Sequence, residues 1–241
     1  MNYSSLQPEY MWACDIETAG NSKAGEFHKK FAKDIKAPKN YTDEKKIEEY
    51  IANKKAELGS KDALSWMTGK VVSIALTNVK DIGEGVKNPR TIAFVGFDEK
   101  KVLESFAAEM NKGENGIFQL VGKTSNTFDF PFLKGRLMAN GINTPSEMMN
   151  GYNLLDIDKM ICPSMGSNQT GSLAKYAFAL GLDGKLMTGA DVPRLYAEAV
   201  AEMATGDKAK AKEIMLKIKA YNIQDANITA AIAYKLIKQG I

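Results

Sequence analysis

The chain has 241 residues, 44% of them apolar and 25% charged, with 32 basic side chains against 29 acidic ones, two cysteines and one histidine. This length suits one large α/β domain, or one domain with an insertion, and can bury a core without disulfides or a structural metal. Cys14 and Cys162 are too few for a disulfide framework or a four-cysteine zinc site, and the lone His28 excludes multi-histidine metal centres and leaves a Ser-His-Asp triad a single residue to pass through.

The N-terminus, MNYSSLQPEY, lacks the apolar core of a signal peptide, and no apolar run reaches the length of a membrane span. The expectation is a soluble chain in a reducing, cytoplasmic compartment, with no membrane partner. The first strand is expected over Tyr10–Ile16, with Cys14 as a buried thiol inside it. Residues 19–69 are rich in Lys, Asn and Glu and read as an insertion that either reaches over a substrate or is solvated. His28, in the stretch EFHKKF, reads as solvated. One helix is expected in this block, capped by Thr42 and running to about Leu58, with Ile47, Tyr50 and Ile51 as its apolar face.

Two further strands are expected over Val71–Val79 and Thr91–Phe97, joined through DIGEGVKNPR as a hairpin connection. A helix capped by Asp98 then presents Leu103, Phe106 and Met110 on one face, and a fourth strand follows over Ile117–Val121. Three strands before the first of these helices imply an antiparallel start to a sheet. Pro131 opens a helix through Leu137 to Gly141, and Ser172 caps another with Leu173, Tyr176, Ala177 and Leu180 inward. The longest helical pattern runs from about Ala209 to Gln239.

Three segments carry chemistry. Asp15-Ile16-Glu17-Thr18 ends the first strand, and carboxylates at i and i+2 project to the same side of an extended chain. Two such neighbours repel unless a cation sits between them. Phe128-Asp129-Phe130-Pro131 places an Asp at a helix start, where it serves as an N-cap or as a site carboxylate. In the last helix Ile214, Ile218, Tyr221, Asp225, Ile228 and Ile232 follow spacings of three and four, which puts Asp225 in the middle of a core-facing stripe. A carboxylate there needs a cation or a strong donor. Four carboxylates without histidine make an oxygen-only ligand set, suited to Mg²⁺ or Mn²⁺ and not to Zn²⁺.

Together, D-x-E on the first strand, F-D before a mid-chain helix and Tyr221-Asn222-Ile223-Gln224-Asp225 on the last resemble the three motifs of the DEDD exonuclease superfamily, in its tyrosine subclass. That subclass includes the proofreading domains of family-B DNA polymerases. The stretches SLAKYAFALGLDGKLMTGADVPRLY and YNIQDANITAAIAYKL also resemble predicted stand-alone polymerase-B-like exonucleases of bacteria and phages. The resemblance implies a ribonuclease H-like α/β fold: a mixed central sheet of about five strands, flanking helices and a helical insertion after the first strand. It implies a single domain over residues 1–241 that hydrolyses the 3′-terminal phosphodiester of single-stranded or frayed DNA, with replication proteins as partners in trans. Two Mg²⁺ or Mn²⁺ ions would be held by Asp15, Glu17, Asp129 and Asp225, with Tyr221 orienting the attacking water and Thr18, Asn126, Phe128 and Phe130 near the nucleic acid. The Asn usual five residues before the second-motif Asp is Thr124 here. An exoribonuclease and a non-catalytic DNA-binding accessory subunit are the alternatives.

Other residues read two ways. Asp156 ends a strand or makes a turn. Trp66, Phe130, Phe132 and Tyr176 stack on bases or fill the core, and Lys123, Lys134, Arg136 and Lys185 meet phosphates or solvent.

Overall fold

The computed structural model of the chain describes residues 6–112, 119–162, 171–182 and 189–240. Lys185 and the first residues of the expected fourth strand lie outside them. The elements in chain order are β1 (Met11–Gly20), α1 (Ala24–Phe31), α2 (Glu44–Ala56), β2 (Gly69–Asn78), α3 (Val79–Gly83), β3 (Thr91–Val95), α4 (Glu99–Met110), β4 (Gln119–Gly122), α5 (Asp129–Ala139), α6 (Ser146–Met149), β5 (Leu154–Asp156), α7 (Ile157–Ile161), α8 (Leu173–Ala179), α9 (Asp191–Thr205) and α10 (Lys208–Lys238).

The strands form one sheet in the order β3-β2-β1-β4-β5. β1–β2 and β2–β3 pair antiparallel, whereas β1–β4 and β4–β5 pair parallel, as expected when a helix intervenes before β4. This is a ribonuclease H-like fold, with helices on both faces of a mixed five-stranded sheet and a helical insertion after β1.

Alternation along β1 sorts the two faces. Trp12, Cys14 and Ile16 point into a core with Leu103, Phe106 and Met110 of α4 and Phe130, Phe132, Leu133 and Leu137 of α5. Met11 and Ala13 point the other way, onto Ile228, Ile232 and Leu236 of α10 and Leu173 and Ala177 of α8. Further along, Ala19 and Val72 meet Val192 and Tyr196 of α9 and Ile214 and Ile218 of α10.

Several local readings change. The carboxylate of Asp43, not Thr42, caps α2 by accepting from Lys45 and Lys46 amides. The 81–90 connection is not a plain hairpin loop: α3 occupies its start, capped by Asn78. Its exit is held by Asp81, which takes a fork from Arg90 at 2.7 and 3.0 Å. α5 begins at Asp129, two residues before Pro131, and its N-cap position is Phe128. The insertion carries two α-helices, α1 and α2, rather than one. His28 is not freely solvated: its Nε2 lies 2.7 Å from Asp62 Oδ1.

Candidate active site

β4 pairs with β1 only at Met11–Ala13. Among the described residues no strand pairs with the β4-side edge of β1 beyond Ala13, while β2 covers the other edge down to Gly20. The segment Asp15–Thr18 lies along this stretch. The register with β2 slips between Glu17, opposite Ser73, and Thr18, opposite Val71. Such a bulge re-aims the side chains that follow it. Asp15 and Glu17, two residues apart, share the α10 face with Met11 and Ala13.

On α10, Tyr221 and Asp225 are one turn apart and face the sheet, both at most 3% exposed. Asp15, Glu17 and Asp225 converge there: one carboxylate oxygen from each lies within 4.8 Å of the others. Glu17 and Asp225 are buried and Asp15 is half-buried. Asn222 completes the corner. Its Nδ2 donates to Asp15 Oδ2 at 2.7 Å, and its Oδ1 accepts from the Ser73 hydroxyl on β2 at 2.7 Å.

Asp129 arrives from the opposite face. Its Oδ1 accepts from the Ile16 amide of β1 at 3.3 Å, between the two motif carboxylates. It is thus not an N-cap. Burial pushes its carboxyl up from an ordinary value of 3.8 to about 7; two backbone amides oppose that, Asp156 adds to it and Lys123 opposes it. Asp129 stands beside the three-carboxylate group instead of inside it. Cys14, next to Asp15 on β1, has its thiol raised by burial and then by the charges of Asp129 and Asp15. Tyr221 is likewise raised, first by burial and then by Asp225 and Glu17, with a hydrogen bond to Asp225 contributing. It keeps its proton at neutral pH and acts as a donor.

The turn that delivers Asp129 is built by Asp156. This residue ends β5, which resolves its two readings in favour of the strand. Its Oδ1 accepts from the Thr124 and Asp158 amides at 3.2 and 2.9 Å, and its Oδ2 from the Asn126 amide at 3.0 Å. Thr124 adopts a left-handed φ of 60°, uncommon for a β-branched residue. Its hydroxyl donates to Asp158 at 2.8 Å, and Asp158 also takes Tyr176 at 2.8 Å and pairs with Lys123 at 3.1 Å. Asp158 and Asn222 carry much of this scaffold and were not picked out from the sequence. A signal for Asn222 existed, because Ile218, Asn222, Asp225 and Thr229 also repeat at four, three and four.

Several residues expected at the nucleic acid have other partners. Phe130 is 1% exposed and lies in the core, with no ring face to offer a base. Phe132 is buried with it, and Trp66 packs against that core and over Gly135. Phe128 is half-buried, its ring 5.5 Å from that of Phe132. The Thr18 hydroxyl donates to the Ala63 carbonyl at 2.5 Å. Arg136 is buried and forks onto Glu99 at 2.9 and 2.7 Å. Asn126 and Lys134 are half-buried.

No family model matches the chain, and no curated protein sequence matches it. Among solved structures it is similar to the family B DNA polymerase of the hyperthermophilic archaeon Pyrobaculum calidifontis, with a TM-score of 0.55 and 17% identity. The match covers 94% of this chain and 24% of the polymerase, so the chain spans about a quarter of that protein's length. At this identity the likeness is one of fold.

Proposed function

We propose that the chain is a metal-dependent 3′→5′ exonuclease of the tyrosine subclass, acting on the 3′ ends of single-stranded or frayed DNA. The observation that carries this reading is the convergence of Asp15, Glu17 and Asp225 within 4.8 Å, with the buried Tyr221 one helical turn from Asp225. The donor set fits Mg²⁺ or Mn²⁺. All its atoms are carboxylate oxygens, two of the three residues are buried, and three ionised carboxylates at this spacing repel one another strongly. The fold shared with a family B polymerase and the ordered motif set support the same reading.

Asp15, Glu17 and Asp225 would hold the ions, with Asp129 next to them through the Ile16 amide. Bound there, divalent ions supply a Lewis acid for the phosphate and an activated water for in-line attack. The chain contributes orientation. Asn222 fixes Asp15 against Ser73, so that carboxylate is held rather than free to rotate. Tyr221, hydrogen-bonded to Asp225 here, would turn its one O–H toward the attacking oxygen or the phosphate when substrate is bound; it would not be the base, because its surroundings favour the neutral phenol. The bulge at Glu17/Thr18 shifts the register with β2 just after the second ligand, which re-aims the side chains that follow it. Action in trans with replication proteins belongs to the same proposal.

Degradation of a 5′-labelled single strand with Mg²⁺, Mn²⁺ or EDTA tests it. The expected result is a ladder shortening from the 3′ end that needs the ion. Asp225→Ala is expected to slow it about 1,000-fold, equivalent to ~4 kcal/mol of transition-state stabilisation. Retained DNA binding with no metal-dependent cleavage by the wild type would replace the enzyme with a binding module.

A further inference from the structure

The net charge of the chain is localised. Residues 21–68 hold eleven lysines against eight Asp and Glu, an excess of three that equals the whole chain's +3, so the remaining residues balance. This excess lies in the insertion, which is joined to the end of β1 that carries the acidic cluster. Thr18, next to Glu17, donates to the Ala63 carbonyl at 2.5 Å, and the Asn21 amide donates to the Thr68 carbonyl at 2.8 Å. The same 62–68 turn takes His28 of α1 on Asp62 at 2.7 Å. Gly69 seats the turn, because a Cβ there would lie 2.6 Å from the Asp62 carbonyl and 2.9 Å from that of Ser65.

Between α1, α2 and this turn lies a cleft of about 460 Å³. Asp62, Ser65 and Thr68 lie on the side nearest β1, and Phe27, Tyr50, Lys36 and Lys61 are among the other lining residues, with both lysines exposed; a third lysine, Lys54, is paired with Glu57 at 2.8 Å. Two exposed rings extend the cleft's aromatic lining. Phe31 is 43% exposed with its ring 4.6 Å from Phe27, and Tyr41 is 38% exposed with its ring 5.5 Å from Tyr50. Lys30 lies over Phe31 and Lys54 over Tyr50, at 5.6 and 5.8 Å.

A polyanion approaching Asp15, Glu17, Asp129 and Asp225 is repelled unless positive charge meets it close by. A basic groove interleaved with exposed rings is the chemistry that holds single-stranded nucleic acid, phosphates on the lysines and bases on the rings. We propose that the insertion is the track for the substrate strand: Lys36 and Lys61 take backbone phosphates, and Phe31 and Tyr41 take bases, upstream of the terminal nucleotide at the acidic cluster. This inference rests on the exonuclease reading for its direction, though not for the binding itself.

The test uses the full chain with Lys36→Gln/Lys61→Gln, both at exposed positions, and a second variant, Phe31→Ala/Tyr41→Ala. Binding of a fluorescent single-stranded DNA of about 15 nucleotides, a length that spans such a groove, is read by anisotropy in EDTA across a salt series. The lysine variant is expected to bind about 10-fold more weakly, with the slope of log K against log salt smaller by about 1.4, two contacts at roughly 0.7 each. With Mg²⁺, KM for the long strand is expected to rise at constant kcat, and hydrolysis of a trinucleotide to stay unchanged. Unchanged affinity and salt slope in a folded lysine variant would overturn the proposal, as would equal slowing on long and short substrates. Lysine-dependent binding by a wild type that hydrolyses nothing would leave this inference standing and remove the exonuclease reading.

Discussion

Asn222 links three elements: it lies on α10, takes the hydroxyl of Ser73 on β2 and donates to Asp15 on β1. Asn222 and Ser73 are fully buried, so a truncated side chain leaves the Ser73 hydroxyl unsatisfied. Asn222→Ala is expected to cost about 1–3 kcal/mol of stability and to lower kcat about 10- to 100-fold, the usual range when a partner that orients a metal ligand is removed. Thermal melts and steady-state kinetics check both numbers, and an unchanged kcat would show that Asp15 does not need the bridge. The motif carboxylates were legible because their spacing is unusual for the elements that hold them: two acids on one side of a strand, and one acid in an otherwise apolar helical stripe. Their polar supports were less so. Asp156, Asp158 and Thr124 owe their roles to one another across 30 or more residues of chain, and no local pattern encodes that. Phe130 misled for the opposite reason, since an aromatic beside a site residue reads alike in sequence whether it faces a base or the core.

At the scale of elements, the short β4 and the turn after it set where Asp129 enters. Gly122 ends β4, and a Cβ there would lie 2.5 Å from Ser125 Cβ and 3.1 Å from the Cys14 carbonyl. Gly122→Ala therefore has to push the 124–128 turn away from β1. A loss of about 1–3 kcal/mol in denaturant melts is expected, the usual cost of overpacking, together with weakened metal binding. Full activity in the variant would mean the turn yields without moving Asp129. The link into β3 gives a pH prediction. The Arg90 guanidinium holds Asp81 below its ordinary value of 3.8, against the opposing effect of burial. A carboxyl depressed in the folded state contributes stability that is present above that ordinary value and is lost as pH falls through the depressed one. Asp81→Asn should flatten that acid limb and, because Arg90 is largely exposed, lower neutral-pH stability by only about 1 kcal/mol; urea melts between acid and neutral pH read it. Elements with a strong apolar repeat were readable in advance, α4 and α10 above all. α9 was not, since its buried stripe includes Ala199 alongside Val192 and Tyr196, and α7 and β5 are too short to show a period.

For the whole molecule, three strands ahead of a helix were enough to anticipate the antiparallel start of the sheet, while its mixed character was what the family resemblance implied. The insertion's first helix, α1, was not anticipated, and the attachment of the insertion at Thr18 depends on contacts that only the folded chain makes. Charge is divided between a basic insertion and an acidic cluster beside it, and the account rests on what that cluster holds. The most direct test is titration of Mn²⁺ and Mg²⁺ into the wild type and Asp225→Asn, followed by calorimetry and by the melting temperature. The wild type is predicted to bind and, at about 100 times Kd, to gain ~2.7 kcal/mol, or roughly 5–10 °C for a chain of this size. Asp225→Asn, relieved of one repelling charge, is predicted to melt no lower than the wild type without metal and to gain little with it. Equal binding by the two proteins, or no binding by the wild type, would contradict the account.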